Sequence, residues 1–325
     1  MKTARAIARA NIALAKYWGK SDRVLNLPAV PSISITLDGF ETDTRVTFDP
    51  RFHRDTLVLN GRRATGDKAR RAIELLDRVR ALAGLAEAAR VESRNSFPTS
   101  SGLASSSSGF AALAAAASRA AGLRCTDSKL SALARQSSAS AARSIFGGFV
   151  ELKKGRKGEH ALAARPVASP DHWNIRLVVA VTTDKEKEVG STEGMERSRK
   201  TSPYYERWLE EAPTWAATVR RGIRSRNLSL VGEAMERSTL AFHACAMTSS
   251  PPIVYWRPAT LGALRAVWTL RDGGTAAYAT MDAGPHVKVL CHARDARRVS
   301  QALRRTDGVR AVVVAKAGRG VEVYR

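Results

Sequence analysis

Residues 97–109 read FPTSSGLASSSSG and stand directly before an alanine-rich run at residues 111–117. A loop of small and hydroxylated residues that leads into a strong helix former is typical of an anion-binding site. Gly102 allows the backbone to approach a ligand closely, and the free N–H groups and dipole at a helix start favour negative charge. A flexible serine-rich linker is the alternative interpretation. The stretch is not a Walker A loop, because no Gly-Lys-Ser/Thr closes it.

The hydroxyl groups at the end of this stretch strengthen the prediction of an anion site. Ser105, Ser106 and Ser107 offer donors to a phosphate, or an oxygen ligand to Mg2+. The sequence predicts that the following helix covers about residues 106–121 and that Gly122 ends it.

Length and composition are those of an ordinary globular protein. The chain has 325 residues, of which 44% are hydrophobic and 26% charged. No apolar run approaches the roughly 20 residues that span a bilayer, and the N-terminus lacks the apolar core of a signal peptide. The three cysteines, Cys125, Cys245 and Cys291, are scattered and lack metal-ligand spacing. We therefore expect reduced thiols in a cytoplasmic protein.

The formal net charge of +23 leaves three interpretations open. It is compatible with a nucleic-acid-binding protein, with anionic substrates, or with a solvated basic surface that has no ligand. The basic residues are spread along the whole chain, and no basic segment is interleaved with aromatic residues as RNA-stacking surfaces are.

The pattern along the chain predicts an α+β protein. The first half contains period-two segments, which we interpret as separate strands at residues 32–37 and 44–48. A composition change at residues 166–171 marks a candidate domain boundary. The polar stretch up to Pro203 shows no helical pattern. After it, the order helix–strand–turn–strand–helix–strand predicts a ferredoxin-like layer.

Three charged residues stand in unusual local settings. Asp282 follows a strand in a Gly/Pro turn and is either a ligand-facing acid or an Asx-turn residue. Lys16 lies in an apolar strand and needs an anionic partner, unless it sits on an edge strand and faces solvent. Arg143, with Ser138 and Ser140, is either part of a carboxylate or phosphate clamp or a plain helix C-terminal arginine.

The histidines and cysteines give no independent catalytic or metal signal. His243 stands alone on a helix, which favours a satisfied core or cap histidine. His286 follows Asp282 closely, but no third group marks a His-based triad. No H-E-x-x-H or C-x-x-C string occurs, so the sequence predicts no tightly bound structural metal.

Longer strings match one family in order along nearly the whole chain. The pattern Pro98-x-x-x-Gly102-Leu103-x-Ser105-Ser106 resembles the phosphate loop of the GHMP small-molecule kinase superfamily. Further strings are similar to its diphosphomevalonate decarboxylase branch, namely NIALAKYWGK (11–20), NLP (26–28), SISITL (32–37), SAARSIFGG (140–148), STEGM (191–195), TSPYY (201–205), HA (243–244), PP (251–252), YW (255–256) and MDAGP (281–285).

This resemblance implies a two-domain GHMP kinase-like fold. Residues 1–170 would form an ATP-binding domain of the ribosomal protein S5 domain 2-like kind, and residues 171–325 a ferredoxin-like substrate domain. It implies that the enzyme uses ATP and Mg2+ to phosphorylate the tertiary 3-hydroxyl of mevalonate 5-diphosphate. Loss of phosphate and CO2 then gives isopentenyl diphosphate. A cytoplasmic homodimer with no nucleic-acid or membrane partner is also implied.

The resemblance also assigns roles to residues. Asp282 would receive or orient the hydroxyl proton, Lys16 would lie beside it and the transferring phosphate, and Arg143 would hold the substrate carboxylate. Ser106 would face the γ-phosphate and is a candidate Mg2+ ligand. The implied substrate-binding residues are Tyr17, Trp18, Lys20, Ser138, Ser140, Arg143, Ser191, Thr192 and Met195, and the implied ATP-binding residues are Pro98, Ser101, Gly102, Leu103, Ala104, Ser105, Ser106 and Ser107.

Departures from the family pattern keep alternatives open. Thr192 stands where some bacterial members carry Arg, so a decarboxylase acting on the 5-monophosphate is one alternative. Ser100, Ser101, Ser107 and Ser108 make the loop more polar than usual, and Val30-Pro31 replaces a common Asn-Ser. A mevalonate 3-kinase is disfavoured because Asp282, Lys16 and Arg143 are retained. A GHMP kinase for another alcohol and a basic nucleic-acid-binding protein are the other candidates.

Overall fold

The structure is a computed structural model that describes residues 2–97, 105–185 and 187–324. Its first half contains β1 (Lys2–Ala15), β2 (Lys20–Asp22), β3 (Leu27–Pro28), β4 (Ser32–Phe48), β5 (Thr56–Leu59), β6 (Arg62–Arg63), α1 (Gly66–Ala83), β7 (Ala89–Asn95), α2 (Ser105–Ala120), α3 (Asp127–Ser137), α4 (Ala141–Ser144), β8 (Phe149–Leu152) and β9 (Arg165–Ala168). The second half contains β10 (Ile175–Val181), α5 (Ser191–Thr201), α6 (Tyr205–Arg224), α7 (Leu228–Met247), α8 (Pro258–Asp272), β11 (Ala277–Thr280), β12 (Val287–His292), α9 (Ala296–Arg304), β13 (Ala311–Ala315) and β14 (Glu322–Tyr324).

Alanine packing brings the start of α2 against the first sheet. The alanines of α2 at 111, 112 and 114–117 are buried, as are those of β1 at 4, 6 and 8. Because these side chains are small, the helix can lie close to the strands. The Asn11 N–H on β1 donates to Ser107 Oγ at 3.3 Å, and Thr42 Oγ1 on β4 donates to Ser108 Oγ at 2.7 Å. The prediction of a helix directly after the serine-rich loop is confirmed.

The prediction of two strands at 32–37 and 44–48 is wrong. They form one strand, β4, which pairs with β1 along most of its length. On its other side β4 pairs first with β8 and later with β7, so both halves have partners. Gly39, with φ of +82°, lies in the middle, and the β1–β4 register shifts between Arg9 and Asn11. The glycine and the bulge bend the strand here. The alternating pattern of the sequence is therefore interrupted, and one strand resembles two.

The second sheet has the predicted ferredoxin-like arrangement. Its strand order is β11-β12-β10-β13, with every neighbouring pair antiparallel. Along the chain these strands occur in the order β10, β11, β12 and β13. Helix α9 connects β12 to β13. The α+β layering and the ferredoxin-like second half are therefore confirmed.

The second half also contains a helix that the sequence pattern did not predict. α5 covers part of the polar stretch before Pro203, and it buries only Gly194, Met195 and Ser198 along its length. Such a narrow buried stripe gives almost no hydrophobic periodicity. The helix is held against the molecule by tertiary packing rather than by its own amphipathicity.

The two sheets share one core. Buried residues of β1 and β4, such as Ile12 and Ile35, pack in the same cluster as Leu177 of β10 and Leu290 of β12. The chain also returns to the first sheet at its end, where β14 pairs with β1. The division at residue 170 stays a prediction. The shared core holds the ends of β1, β11 and β12 in one place, which is where the candidate site forms.

Candidate active site

Asp282 lies between two lysines from different sheets. Its Oδ1 accepts a hydrogen bond from Lys16 Nζ at 2.8 Å, and its Oδ2 forms an ion pair with Lys288 Nζ at 3.1 Å. Lys16 directly follows β1, Asp282 stands two residues after β11, and Lys288 belongs to β12. The Lys16 side chain is 3% exposed, which rules out the solvent-facing alternative for it. The structure thus brings together two of the predicted catalytic residues and adds a third charged group.

The two ammonium groups set the protonation of this cluster. Burial raises the pKa of Asp282, but the charges of Lys16 and Lys288 outweigh it and hold that pKa well below its usual range. Burial lowers the pKa of Lys16 to about 8, although Asp282 opposes the shift. At neutral pH the aspartate is therefore a carboxylate and Lys16 is an ammonium.

Arg143 is buried and held by polar groups of the first sheet. Its Nε donates to Ser34 Oγ at 3.0 Å, its Nη1 to Ser32 Oγ at 2.6 Å and its Nη2 to Asn11 Oδ1 at 3.3 Å. A guanidinium has five N–H donors, so one donor on each terminal nitrogen is left for a ligand. Burial lowers the pKa of Arg143 to about 10, and the Asp282 charge counteracts this. This is a fixed cation with a free edge, not the plain helix C-terminal arginine of the alternative.

Asn11 orients this arginine. Its Nδ2 donates to Ser144 Oγ at 2.8 Å and to the Ser140 carbonyl at 2.9 Å, which fixes the direction in which Oδ1 points. Because its backbone N–H also donates to Ser107, Asn11 connects the arginine to the start of α2. Asn11 carries no separate signal in the sequence pattern, although it stands first in the string NIALAKYWGK.

The two histidines near Asp282 are neutral. His243 is buried, as expected of a core histidine, and its ring interacts with the Asp282 backbone, although neither ring nitrogen has a hydrogen bond of good geometry among the residues described. Burial and the charge of Lys16 lower the pKa of His243 far below its ordinary value. His286 Nδ1 accepts from the Thr182 N–H at 3.1 Å, and burial together with Lys288 lowers its pKa to about 3. These rings contribute no positive charge to the cluster.

Aromatic residues form one wall beside the cluster. Trp18 is buried against Phe242, with ring centroids 5.1 Å apart, and against Tyr255 at 6.4 Å. Met195 of α5 belongs to the same hydrophobic cluster, and Tyr17 packs at its margin. Of the predicted substrate-binding residues, Trp18 and Met195 therefore contribute apolar surface. The Tyr17 hydroxyl is buried without a hydrogen-bond partner in the described part of the chain.

A second group of cations lies where α5 begins. Lys187 Nζ donates to Ser191 Oγ at 2.8 Å and to the Ala283 carbonyl at 3.1 Å, beside Asp282. Lys20 Nζ lies 3.5 Å from Thr192 Oγ1. Burial and the neighbouring charges of Arg71 and Arg23 lower the pKa of Lys20 to about 8. Lys187 was not among the predicted site residues, because it lies outside the matched strings.

The predicted phosphate loop is described only from Ser105 onward. Pro98, Ser101, Gly102, Leu103 and Ala104 lie outside the described residues. Ser106 is exposed in the first turn of α2, whereas Ser107 is buried against β1.

A cleft opens beside this helix start. It is lined by Lys68 and Arg71 of α1, by Ser105, Ser106 and Phe110 of α2, and by strand residues that include Thr44, Leu57, Val91 and Asn95. It combines apolar walls with two cations and the N-terminal end of a helix. Such a lining suits a ligand with a flat apolar part and a charged part.

Ser138 and Ser140 lie close to Arg143. Their hydroxyls are 3.0 Å apart and partly exposed, at the end of α3 and just before α4.

No group of three or more His, Cys, Asp or Glu side chains that could hold a metal occurs within residues 2–97, 105–185 and 187–324. Within the same ranges no helix has the length and apolar character needed to cross a bilayer.

Comparison with known proteins identifies the family of this chain. Residues 8–163 match the family model of the diphosphomevalonate decarboxylase-like N-terminal domain, and residues 177–318 match the mevalonate 5-diphosphate decarboxylase C-terminal domain. The chain belongs to the diphosphomevalonate decarboxylase family. The diphosphomevalonate decarboxylase of Ganoderma lucidum is 36% identical over 88% of this chain and 77% of its own length. The resemblance stated from the sequence strings is therefore confirmed.

Solved structures of the diphosphomevalonate decarboxylase family confirm the fold. The mevalonate diphosphate decarboxylase of Staphylococcus aureus superposes with a TM-score of 0.94 at 36% identity, over 100% of this chain and 98% of its own. A complex of the protein MDDEF with MVAPP, AMPPCP and magnesium superposes with a TM-score of 0.93 at 37% identity, over 99% of both chains. The two-domain GHMP kinase-like fold is thus the fold of this chain.

Proposed function

We propose that this chain decarboxylates mevalonate 5-diphosphate at the expense of ATP, giving isopentenyl diphosphate, ADP, phosphate and CO2. Family membership supports the reaction. The observation that carries the assignment to a site is the buried Lys16–Asp282 pair, 2.8 Å long and coupled to the charge of Arg143. The reaction requires three groups: a carboxylate that accepts the hydroxyl proton, a cation that faces the phosphate, and a cation that binds the substrate carboxylate.

The first step is transfer of the γ-phosphoryl group to the tertiary 3-hydroxyl. Asp282, ionised at neutral pH, accepts a hydrogen bond from this hydroxyl and takes its proton as the new O–P bond forms. Lys16, protonated below pH 8, neutralises charge on the transferring group. Phosphoryl transfer passes through a loose transition state, so orientation and charge stabilisation contribute more than a strong base would.

The second step breaks two bonds of the phosphorylated substrate. The bond from C3 to the phosphate oxygen breaks, positive character develops at C3, and the electron pair of the C–CO2 bond forms the alkene. Arg143 holds the carboxylate until it leaves, through the N–H donors that its contacts with Ser32, Ser34 and Asn11 leave free. The buried surroundings keep water from the developing cation.

The cleft beside α2 fits ATP. Its apolar walls suit a purine, and the exposed Ser106 with Lys68 and Arg71 suits the phosphate chain. Mg2+ is usually held by substrate phosphates with one or two protein oxygens. The Ser106 hydroxyl at the helix start fits that role. The magnesium complex of MDDEF with AMPPCP supports both ligands.

The cations at the start of α5 suit the diphosphate of the substrate. Lys20 and Lys187 lie near Ser191 and Thr192 and have lowered pKa values. The MVAPP bound to MDDEF supports a diphosphate substrate. The 5-monophosphate is the second candidate substrate, because Thr192 brings no charge of its own to this end. A homodimer and a cytoplasmic location stay predictions from the family resemblance.

The substrate assignment is tested by offering three compounds to the purified protein with ATP and Mg2+. We expect equal amounts of ADP and CO2 from mevalonate 5-diphosphate, and kcat/KM at least about 10-fold lower for the 5-monophosphate, because charge-assisted phosphate contacts are lost. Mevalonate itself should be poorest. ADP without CO2 would identify a kinase, and a preference for the monophosphate would identify the second candidate. No turnover with any compound would overturn the assignment.

The lysine pKa values predict an alkaline limit to activity. Lys16 and Lys20 both have pKa values lowered to about 8, so both lose their charge as the pH rises through 8. We therefore expect kcat/KM for the diphosphate substrate to fall above about pH 8, because this parameter reports ionisations of the free enzyme. Lys20→Arg keeps its charge at high pH and should remove the contribution of Lys20, which leaves a single Lys16 limb. A flat profile from pH 7 to 10 would contradict both values.

A further inference from the structure

Lys288 is a fully buried lysine that lies on the far side of Asp282 from Lys16. Its side chain is 0% exposed, on the central strand β12, and its Nζ lies 3.1 Å from Asp282 Oδ2. That ammonium has no hydrogen-bond partner with good geometry in the described chain. Residues 287–291 otherwise read Val, Val, Leu and Cys around it, all buried. Burying a charge in such a place costs free energy, and apolar contacts with the neighbouring side chains do not offset this cost.

The charge around Asp282 is not balanced without a ligand. The groups that interact electrostatically with its carboxylate are Lys16, Arg143, Lys187, His243, His286 and Lys288. The two histidines are neutral, so among the described residues four cations surround this carboxylate. The positive charge of Lys16 alone balances the negative charge of the Asp282 carboxylate. Lys288 is therefore not explained by neutralisation of this aspartate alone.

The geometry of the carboxylate indicates what the second lysine does. A carboxylate held at one oxygen can still turn about its Cβ–Cγ bond. Lys16 donates a hydrogen bond to Oδ1, and the Lys288 ammonium attracts Oδ2 by charge from 3.1 Å, so rotation of the group is resisted at both oxygens. A carboxylate has about four lone-pair sites, so each oxygen can still accept one more hydrogen bond.

We propose that Lys288 is a positioning residue that fixes the Asp282 carboxylate for the substrate hydroxyl. The role rests on the proposed function. Lys288 does not touch substrate; it acts through Asp282 by holding the plane of the carboxylate and so the lone pair that receives the hydroxyl. Because its positive charge also makes that oxygen a weaker base, Asp282 acts mainly by orienting the hydroxyl, and a loose phosphoryl transfer depends on such positioning.

The test is Lys288→Met, which keeps an unbranched apolar stem as far as Cε and removes the ammonium group. We expect kcat to fall about 10- to 100-fold, since small misplacements of a catalytic group have effects of this size. KM for both substrates should stay within about 2-fold, because no substrate contact is lost. The melting temperature should be unchanged or higher, since a buried charge is replaced by an apolar side chain while Asp282 keeps Lys16. Lys316→Met, at an exposed lysine 3.6 Å from Asp38, is the matched control and should keep kcat unchanged.

A double variant distinguishes positioning from a purely structural role. In the Asp282→Asn background, Lys288→Met should cause no further loss of kcat, because the group through which it acts is already gone. ADP formation with enzyme in excess measures these slow rates. Three outcomes would each overturn the proposal. The kcat of Lys288→Met could stay within 2-fold of wild type, or its melting temperature could fall by many degrees. The third outcome is that Lys288→Met lowers kcat as much in the Asp282→Asn background as in wild type. Wild-type turnover in the same assay separates these outcomes from failure of the proposed function.

Discussion

Asp282→Asn should lower kcat by about 10³-fold or more while the dissociation constant for ATP stays within a few fold of wild type. The amide has almost the same shape, so the packing of the loop is kept. It carries no negative charge, and an amide nitrogen cannot accept a proton. Loss of a positioned acid–base group costs about 10²- to 10⁴-fold. The substitution also leaves Lys16 and Lys288 without their shared counter-ion, which misplaces Lys16 as well.

The measurement is kcat from ADP and CO2 formation, with ATP affinity from calorimetry. The matched control is Asp49→Asn, because Asp49 is also a buried aspartate with a cationic partner, Arg51 at 2.8 Å, but stands at the end of β4. We expect the control to keep wild-type kcat. Near-normal turnover of Asp282→Asn would reject the role assigned to Asp282, and a matching loss in ATP affinity would indicate a structural effect.

The pair formed by Lys16 and Asp282 shows what the sequence could predict. Lys16 and Asp282 are 266 positions apart, and no local pattern connects them. The local pattern indicated only that each stood in an unusual setting: a lysine among apolar residues, and an acid at a Gly/Pro corner. Their pairing followed from the family strings, and the structure places them 2.8 Å apart. The second sheet was predictable because its strands and helices have clear periods and short turns.

Other features depended on tertiary contacts that the pattern does not contain. Lys288 stands in a short strand, and the sequence pattern does not distinguish its solvated face from its buried one; the contact with Asp282 shows that Lys288 faces inward. α5 has a buried stripe too narrow to give a helical period. β4 is one continuous strand because it pairs with two successive partners, β8 and β7. In each case the deciding interaction comes from residues far away in sequence.

The second large effect is expected from Arg143→Ala, because this arginine is the cation assigned to the substrate carboxylate. We expect kcat/KM for mevalonate 5-diphosphate to fall about 10²-fold or more, since a buried charge-assisted contact is lost. ATP affinity should stay nearly unchanged, and ADP and CO2 should remain equal, because phosphorylation still commits the substrate to elimination. The variant should also be less stable, as Ser32, Ser34 and Asn11 lose their partner.

Arg143→Lys separates these two consequences, since it restores the charge without the planar fork. A lysine reaches one or two of the three partners, so the melting temperature should recover in part, while kcat/KM stays well below wild type because bidentate binding of a carboxylate needs the guanidinium. The two variants should therefore differ more in stability than in turnover. If either variant loses ATP affinity while KM for the diphosphate substrate is unchanged, Arg143 belongs to the nucleotide site and the carboxylate must be held elsewhere. Because Asn11 joins Arg143 to the start of α2, that outcome would also assign the hydrogen bond from Asn11 to Ser107 to nucleotide binding.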